Sequence, residues 1–391
     1  MRMTADVVII GGGVMGASIA YHLATRGCTD VVLLEAKTLA AEGTGHSGAL
    51  VRQHYSQDVM TKIALRSVEM FERFEELTGK ADVFHQTGWF KLGTSAMRPA
   101  MEQNLARHRQ IGVQVRMVSL EDLEAAVPGI NLEGIGAALY EERGGYADPV
   151  ATTLGFASAA RSRGVEIKNG VAATGIHVGN DRIVAVDTSA GTILTSTVVN
   201  AAGPWGVRVA SWAGVDLPIQ VSREQDVVLS CEDQSLMPRY PVSNGVDRDY
   251  WRREEGIMLL VGDGHPKETE YADPDNFKRT ADPSYEEMIM ARLRHRLPKF
   301  ARQARIVGGY ASLYDVTPDW HPILGRVPEI DGFLLCVGFS GHGFKLGPAI
   351  GQLIAEEILD GKAHAIDISP LRLGRFAENK LLQGSYAGNQ A

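Results

Sequence analysis

The stretch DVVIIGGGVMGASIAYHLATRG at residues 6–27 decides the fold of this chain. Its apolar run VVII is short and rich in β-branched residues, which predicts a buried parallel strand. The run leads into three glycines with the spacing G-x-G-x-x-G, namely Gly11, Gly13 and Gly16. In this pattern the first glycine permits a tight turn, the second lets a pyrophosphate approach the backbone, and the third allows close packing of helix and strand. The stretch therefore predicts a strand, a phosphate-binding turn and a helix.

The residues that follow complete a dinucleotide-binding unit. The helix is expected to end near Gly27, and its N-terminus offers free N–H groups and a positive dipole end to phosphate. A second predicted strand, 31–34, runs into Glu35, which lies 19 residues after Gly16. A carboxylate there can accept hydrogen bonds from ribose hydroxyls and would repel a 2′-phosphate. The pattern favours an adenine dinucleotide over a glycine-rich turn of an unrelated α/β fold, and it leaves FAD and NAD both open.

Composition limits the classes of function. The chain has 391 residues, enough for two domains or one large one. Its net charge of −8, from 47 acidic against 39 basic side chains, argues against nucleic acid or an anionic membrane as partner. No apolar run approaches the roughly 18 residues of a membrane span, and no signal-peptide pattern precedes the first strand. Three scattered cysteines fit a reducing compartment. We expect a cytoplasmic protein whose polar segment 383–391 frays.

Two later segments repeat the chemistry of the first. The sequence VVNAAGPWG at 198–206 reads as a strand that enters small residues. The glycine-rich turn GFSGHGFK at 338–345 ends a predicted strand, 332–339, and precedes a helix predicted over 347–359. Between them, 219–314 is richer in proline, aromatic and charged residues and predicts an antiparallel sheet. Separated segments that converge on one long cofactor suit FAD better than NAD, whose usual domain is contiguous. An NAD-dependent dehydrogenase built on the first motif alone is the alternative.

On these residues the chain resembles the D-amino-acid-oxidase-like family of FAD-dependent enzymes, and within it the group of the sarcosine oxidase β-subunit, sarcosine dehydrogenase and glycine oxidase. The resemblance rests on four motifs spread over almost the whole chain, at 6–35, at 43–56 (GTGHSGALVRQHYS), at 198–206 and at 338–356 (GFSGHGFKLGPAIGQLIAE). It implies an α/β fold with additional antiparallel β structure. A noncontiguous Rossmann-like FAD domain would be joined to a substrate domain built on a mostly antiparallel sheet.

The resemblance also implies domain limits and FAD-binding positions. The implied FAD domain comprises 1–80, 150–215 and 322–391, and the implied substrate domain comprises 81–149 and 216–321. The implied FAD-binding residues are Gly11, Gly13, Val14, Met15, Gly16, Glu35, Thr44, His46, Ser47, Gly48, Leu50, Val171, Ala202, Gly203, Trp205, Gly338, Gly341, His342, Gly343, Phe344 and Lys345. Lys345 and the helix after it would lie at the pyrimidine end of the flavin, where they would stabilise the anionic reduced form.

A second set of residues is expected to handle the substrate. Family members hold the substrate carboxylate with an arginine at the place of Arg52, whose fork offers two parallel hydrogen bonds. The alternative for Arg52 is an interdomain salt bridge, and for Lys345 a solvated surface position. His342 would contact flavin or substrate, or satisfy a backbone group. Tyr250 and Tyr314 match positions that contact substrate in relatives, with a place in the core as the alternative. These five form the implied catalytic set.

The implied reaction is oxidation of the C–N bond of a secondary or N-methyl amino acid such as sarcosine. Hydride passes to flavin N5, and the resulting imine hydrolyses. A D-amino acid, a cyclic imino acid or an opine would also fit a carboxylate clamp, so the amine substrate stays open. The second alternative is that the chain is the flavin-carrying subunit of a larger assembly, with an electron-accepting partner. No metal site is expected.

Two further expectations concern the attachment of the flavin and the electron acceptor. Some relatives attach FAD through a cysteine where this chain has Ser312, and others through a histidine in register with His46; non-covalent FAD is expected because the flanking residues differ. Oxidases of the group place a lysine on a strand over the flavin, and Met258 is aligned with that lysine, with Lys267 beyond the following turn. We therefore expect slow reaction with O₂ and a dehydrogenase rather than an oxidase.

Overall fold

The computed structural model describes residues 3–254, 256–264 and 266–384, and most of the polar segment 383–391 lies outside the described residues. The strands are β1 Val7–Ile10, β2 Val31–Glu35, β3 Leu50–Val51, β4 Phe84–His85, β5 Trp89–Gly93, β6 Val115–Val118, β7 Ala137–Glu141, β8 Gly145–Ala147, β9 Glu166–Asn169, β10 Ala173–Gly179, β11 Arg182–Thr188, β12 Gly191–Leu194, β13 Val198–Asn200, β14 Gln220–Ser230, β15 Val242–Asn244, β16 Asp249–Arg253, β17 Met258–Asp263, β18 Arg305–Val316, β19 Ile323–Arg326 and β20 Phe333–Val337. The α-helices are α1 Val14–Thr25, α2 Asp58–Glu72, α3 Phe74–Thr78, α4 Arg98–Ile111, α5 Leu120–Ala126, α6 Pro149–Arg161, α7 Gly206–Ser211, α8 Pro283–Arg296, α9 Pro298–Gln303 and α10 Gly347–Asp360.

The first sheet is assembled from separated parts of the chain. Its order is β19-β20-β13-β1-β2-β9, and all neighbours are parallel except β19 and β20. Val7 and Ile9 face a core shared with α1, α6 and α10, whereas Val8 and Ile10 face the core under the meander of β10, β11 and β12. Both faces of the sheet are thus covered, which explains the continuous apolar run of β1. The noncontiguous Rossmann-like arrangement predicted from the sequence is confirmed.

The second sheet is larger and has the order β18-β14-β17-β16-β15-β5-β7-β6. Its neighbours are antiparallel except β15 and β5, so the mostly antiparallel sheet predicted from the sequence is confirmed. Helix α8 covers one face through Tyr285, Ile289 and Leu293, which pack on Val227, Val261 and Trp251. The strands of the two sheets fall on the two sides of the predicted domain division, which itself stays a prediction.

Local signals in the sequence agree with the observed helix ends. Helix α1 ends before Gly27, which adopts a left-handed φ of 84°. Helix α10 begins at Gly347 with Pro348 in its first turn and ends before Gly361 at φ 79°. Within the described part of the chain no helix is long and apolar enough to cross a membrane. Of the three cysteines, Cys231 and Cys336 are buried and Cys28 is half-buried.

Candidate active site

A cavity of about 770 Å³ lies at the carboxyl ends of β1, β2 and β13. The turn after β1 forms one wall, and Gly11 there has a φ of 117°, a conformation that favours glycine. A Cβ on Gly11 would overlap the carbonyl oxygen of Ala201 at the end of β13. A Cβ on Gly16 would overlap the carbonyl oxygen of Gly11. The glycine pattern therefore does what the sequence predicts, since it lets strand, turn and helix approach each other closely.

Polar groups around this turn suit a dinucleotide. The two carboxylate oxygens of Glu35 accept hydrogen bonds from the backbone N–H groups of Gly12, at 2.8 Å, and Lys37, at 2.7 Å. Both bonds fix the carboxylate at the cavity wall with lone pairs left for ribose hydroxyls. Thr44 Oγ1 accepts from the N–H of Val14 at 3.1 Å, and the first turn of α1 carries no acidic residue. These groups fit a cofactor with a ribose and a pyrophosphate.

A second cavity, of about 180 Å³, adjoins the first. The two cavities share the lining residues Ser47, Tyr314, Gly341 and Phe344. The smaller cavity brings together all five residues of the predicted catalytic set, Arg52, Lys345, Tyr250, Tyr314 and His342. They reach it from the segment after β3, from β16, from β18 and from the glycine-rich turn before α10. Residues far apart in sequence therefore line one small space next to the dinucleotide cavity.

Arg52 is held by a backbone carbonyl and two aromatic rings. Its Nη1 donates a hydrogen bond to the carbonyl oxygen of His54. Its guanidinium lies 4.7 Å from the ring centre of Tyr55 and 5.8 Å from that of Trp89. Among the residues that the structure describes, no carboxylate forms an ion pair with Arg52, which speaks against the interdomain salt bridge. The charge is left to attract an anion in the cavity.

Lys345 is buried, with 7% of its surface exposed, so the solvated surface position considered as an alternative is wrong. Its Nζ donates to the carbonyl oxygen of His342 at 3.3 Å and lies 5.9 Å from the ring of Tyr55. Burial, and next the nearby Arg52, hold the pKa of the Lys345 ammonium well below its usual value. An anion that binds between Arg52 and Lys345 would restore the charged form.

Tyr250 and Tyr314 pack against glycines that leave room for their rings. A Cβ on Gly48 would lie 2.9 Å from the ring of Tyr250, and a Cβ on Gly341 would overlap the ring of Tyr314. Tyr250 donates its hydroxyl proton to Asp226 Oδ1 at 2.6 Å. Burial raises the pKa of both tyrosines well above the usual value. Both therefore face the cavities as neutral hydroxyls, and neither is a purely apolar core residue.

The predicted FAD-binding residues separate into three groups. The larger cavity is lined by Gly11, Gly13, Val14, Met15, Glu35, Thr44, His46, Ser47, Ala202, Gly203, Trp205, Gly341, Gly343 and Phe344. The smaller cavity alone is lined by Gly48, Leu50, His342 and Lys345. Neither cavity is lined by Gly16, Val171 and Gly338, which lie behind the wall. Gly16 packs α1 on β1, and the backbone N–H of Val171 donates to the carbonyl oxygen of Glu35 at 3.0 Å.

The strand assigned to the electron acceptor needs a correction. Met258 is the first residue of β17, pairs with Ser230, and lines neither cavity. The expectation that Met258 takes the place of the oxidase lysine is therefore wrong, because the cavity is reached by the other end of β17, at Asp263. Lys267, beyond the turn that follows β17, has its ammonium 2.7 Å from Glu224 Oε2, and Glu224 lines the larger cavity. His46 and Ser312, the two candidate attachment points, both line the larger cavity.

Several buried charged residues of the cavities were missed by the sequence analysis, among them Glu224, Asp226 and Lys91. Glu224 and Asp226 on β14 line the larger cavity, and Lys91 on β5 lines the smaller one. Each has 7% of its surface exposed. Their signals were present in the sequence, since two acids at alternate positions of a strand share one face, and Lys91 is a lone charge in the apolar run WFKLG.

Comparisons with known proteins agree with this geometry. A family model described as FAD dependent oxidoreductase matches residues 6–357. Dimethylglycine dehydrogenase of Rattus norvegicus is 29% identical over 387 residues, which cover 95% of this chain and 45% of that protein. The 4-methylaminobutanoate oxidase (formaldehyde-forming) of Paenarthrobacter nicotinovorans is 30% identical over 380 residues, which cover 95% and 45%. L-proline dehydrogenase from P. horikoshii superposes with a TM-score of 0.91 at 26% identity, covering 98% of this chain and 100% of that one. This chain thus spans about 45% of the two enzymes compared by sequence.

Proposed function

We propose that this chain, which belongs to the FAD-dependent oxidoreductase family, oxidises the C–N bond of a small secondary or N-methylated amino acid. The observation that carries the proposal is the cavity of about 180 Å³ that holds Arg52 and Lys345 and adjoins the dinucleotide cavity. FAD supplies the two-electron acceptor for this oxidation. Of this chain's own groups, Glu35 and the N-terminus of α1 would hold its ribose and pyrophosphate.

The residues of the smaller cavity would bind and orient the substrate. Arg52 and Lys345 would hold the carboxylate, since the described residues offer Arg52 no acidic partner and a bound anion would restore the charged form of Lys345. Tyr250 and Tyr314 lie at the same space as neutral hydroxyls and can accept hydrogen bonds from an amine. The aromatic side chains of Trp89, Phe344 and Tyr314 line this cavity and would shield the reacting C–H bond from water. The imine product would then hydrolyse to an aldehyde or keto acid and a smaller amine.

Anaerobic bleaching of the bound flavin tests the proposal. The holoenzyme is mixed with sarcosine, N,N-dimethylglycine, 4-methylaminobutanoate, L-proline and glycine, and the absorbance near 450 nm is followed, as is general for flavoproteins. We expect at least one of these amino acids to bleach the flavin, and its decarboxylated counterpart (dimethylamine for sarcosine, trimethylamine for dimethylglycine) to fail. Bleaching by nicotinamide dinucleotides alone, or by none of these amines, would overturn the proposal.

A second candidate is a flavin-carrying subunit of a larger assembly. It is favoured by the fact that the relatives compared by sequence carry more than twice the length that this chain matches. Size-exclusion chromatography, with and without the products of neighbouring genes, decides between a solitary enzyme and a subunit. This candidate would be excluded if the chain alone turned over one of the five amines as fast as it does in the presence of the neighbouring gene products.

We also propose that FAD is bound without a covalent bond. Serine at position 312 lacks the thiol that forms the link in some relatives, although the residue lines the cofactor cavity. His46 lines the same cavity, and its Nδ1 lies 3.0 Å from the carbonyl oxygen of Glu42, a contact that occupies one of its ring nitrogens. Acid precipitation of the holoenzyme is expected to release the yellow colour. Colour that stays in the pellet, and is lost in His46→Ala, would show a histidyl link.

A further inference from the structure

The face of the second sheet that meets the cavities carries a row of directly paired residues that are polar except for Gly262. Directly paired residues on neighbouring strands place their side chains on the same face. The pairing runs from Tyr310 on β18 through Asp226, Gly262 and Tyr250 to Ser243 and Lys91. Asp226 lines the cofactor cavity, whereas Tyr250, Ser243 and Lys91 line the substrate cavity. The row therefore crosses from one cavity to the other.

Gly262 lets the two functional members of this row touch. It stands between Asp226 and Tyr250 in the sheet, and a Cβ there would overlap both Asp226 Oδ1 and the Tyr250 hydroxyl. Without a side chain at Gly262, Tyr250 spans the intervening strand and donates to Asp226 Oδ1 at 2.6 Å. The short distance fits a charge-assisted hydrogen bond to a carboxylate. The hydroxyl hydrogen thus points to Asp226, which leaves the oxygen lone pairs for another donor.

We infer that Tyr250 and Asp226 form a relay that takes a proton from the substrate ammonium group before oxidation. The inference rests on the proposed function, because it supplies the proton acceptor which that reaction requires. An amino acid enters at neutral pH as an ammonium ion, and only the neutral amine can release hydride. One N–H bond of the ammonium breaks as Tyr250 Oη takes that proton, and the original Tyr250 hydroxyl proton passes to Asp226 Oδ1. The amine becomes neutral, Tyr250 is unchanged, and Asp226 becomes a neutral carboxylic acid.

The charges around Asp226 allow it to accept this proton. Burial raises its pKa to about 6, so it is ionised at neutral pH and is a stronger base than an exposed aspartate. Tyr250 stays protonated because its own pKa is raised well above the usual value. The charged and titratable groups that interact with Asp226 come from β14, β16, β18, α8 and the loop after β17. They are Glu224, Tyr250, Arg252, Tyr310, Tyr314, Tyr285 and Lys267.

Asp226 acts on the substrate only through Tyr250, so it is a positioning residue. Its test therefore measures the pH dependence of flavin reduction, which would not change if Asp226 had only a structural role. The variant Asp226→Asn keeps an oxygen that can accept from Tyr250 but cannot take the proton. The rate of anaerobic flavin reduction at saturating substrate is measured from roughly pH 6 to 10, with the amine that bleaches the wild-type flavin fastest. We expect Asp226→Asn to lose about 10- to 100-fold near pH 7 and to recover to within a few-fold of wild type near pH 10, where the amine is already neutral.

Tyr250→Phe serves as the second variant and is expected to show the same recovery at alkaline pH. Tyr240→Phe is the matched control, because Tyr240 lies just before β15, packs on Phe90 of β5, and lines neither cavity. Binding of methoxyacetate, which replaces the amine by an ether oxygen and keeps the carboxylate, is expected to have the same Kd in Asp226→Asn and wild type. This binding is followed through the flavin spectrum and does not depend on turnover.

The outcomes separate this inference from the proposed function. Recovery at alkaline pH in both variants, with methoxyacetate binding intact, supports the relay. An equal loss at every pH, or a wild-type pH profile in either variant, overturns the relay and leaves the proposed function standing. A wild-type flavin that no amine of the panel reduces at any pH overturns the proposed function and the relay with it.

Discussion

The two cavities are built in different ways. The larger cavity is lined in part by turns such as Gly11–Met15, whose residues are neighbours in sequence and whose glycines let the backbone form the wall. The smaller cavity is lined by polar and charged residues such as Arg52, Lys91, Tyr250 and Lys345, which are remote in sequence. A backbone site depends on where a Cβ would not fit, whereas a side-chain site depends on which strands lie next to each other. The first kind of site can therefore be predicted from the spacing of residues within a short segment. The second kind can be predicted only when the pairing of the strands is known.

The largest effect is expected from a change to the backbone site. Gly11→Ala places a methyl group against the carbonyl oxygen of Ala201 and forces alanine to a φ of 117°. The φ alone costs about 1–3 kcal/mol, and the overlap with rigid backbone adds to it. We expect the variant to lose its bound flavin, measured as the ratio of the absorbance near 450 nm to that near 280 nm after gel filtration.

Gly27→Ala is the control for this prediction. Gly27 also has a left-handed φ, 84°, but a Cβ there has no heavy atom within 4 Å. It should therefore cost only the conformational strain of about 1–2 kcal/mol in the free energy of unfolding, and should retain flavin. If Gly11→Ala keeps its flavin as well as Gly27→Ala does, the cavity wall at the turn is not as tight as the structure shows.

This contrast explains which parts of the fold and of the site could be predicted from the sequence. The strand–glycine–helix unit, Glu35 and the helix after Gly338 were predicted with nearly correct limits, because each depends on spacing within a short segment. The resemblance to a known family brought in Arg52 and Lys345, which no spacing argument could have joined. Asp226 and Lys91 were missed and Met258 was misplaced, because their positions depend on pairing between strands that lie 28 to 152 residues apart in the chain. Register follows from tertiary packing and not from local pattern.

The largest effect on the side-chain site is expected at Arg52. Arg52→Ala removes the cation whose charge has no acidic partner among the described residues. We expect a strong rise in apparent KM for the amino acid and a loss of roughly 2–5 kcal/mol in the free energy that corresponds to kcat/KM. Steady-state kinetics on the amine identified by flavin bleaching measures it, and Arg305→Ala, at an exposed position on β18, is the control.

The same experiment shows whether the carboxylate is what Arg52 recognises. Arg52→Ala should act on the amino acid and leave the slow reaction of its decarboxylated analogue unchanged. Arg52→Lys should recover only part of the loss, because a lysine cannot form the two parallel hydrogen bonds of a guanidinium. Equal turnover of the amino acid and the decarboxylated analogue by the wild type would contradict the clamp.

A smaller effect is expected from Glu141, which binds the backbone of the residue next to Arg52. Glu141 Oε2 accepts a hydrogen bond from the backbone N–H of Gln53, next to Arg52, at 2.7 Å. Burial raises the pKa of Glu141 from its ordinary value of 4.5 to about 7. The folded state therefore holds this proton more tightly than the unfolded chain does. The stability contributed by the protonated group is fully present below about pH 4.5 and is lost as the pH rises toward 7.

Glu141→Gln removes this titration and keeps an oxygen for the Gln53 N–H. Urea unfolding at several pH values between roughly 5 and 7.5 should show a free energy of unfolding that falls with pH more steeply in wild type than in Glu141→Gln, by roughly 1–3 kcal/mol over the range. Glu142→Gln, at the exposed neighbouring position, should follow the wild-type slope. Parallel curves for Glu141→Gln and wild type would show that Glu141 does not titrate in this window.

The smallest effect is expected at Met258. The expectation of slow reoxidation by O₂ assumed that this residue takes the place of a lysine over the flavin, but it lies at the start of β17 and lines neither cavity. A preference for an acceptor other than O₂ therefore stays a prediction without support from this position. Stopped-flow reoxidation in air-saturated buffer should give the same rate for Met258→Lys and wild type.

Lys267→Met is the informative partner, because it removes the ammonium that pairs with Glu224 at the wall of the larger cavity. A cation there can stabilise the anion that forms as O₂ is reduced, so this variant, and not Met258→Lys, should slow reoxidation. Faster reoxidation in Met258→Lys would show that β17 lies in a different register from the one described.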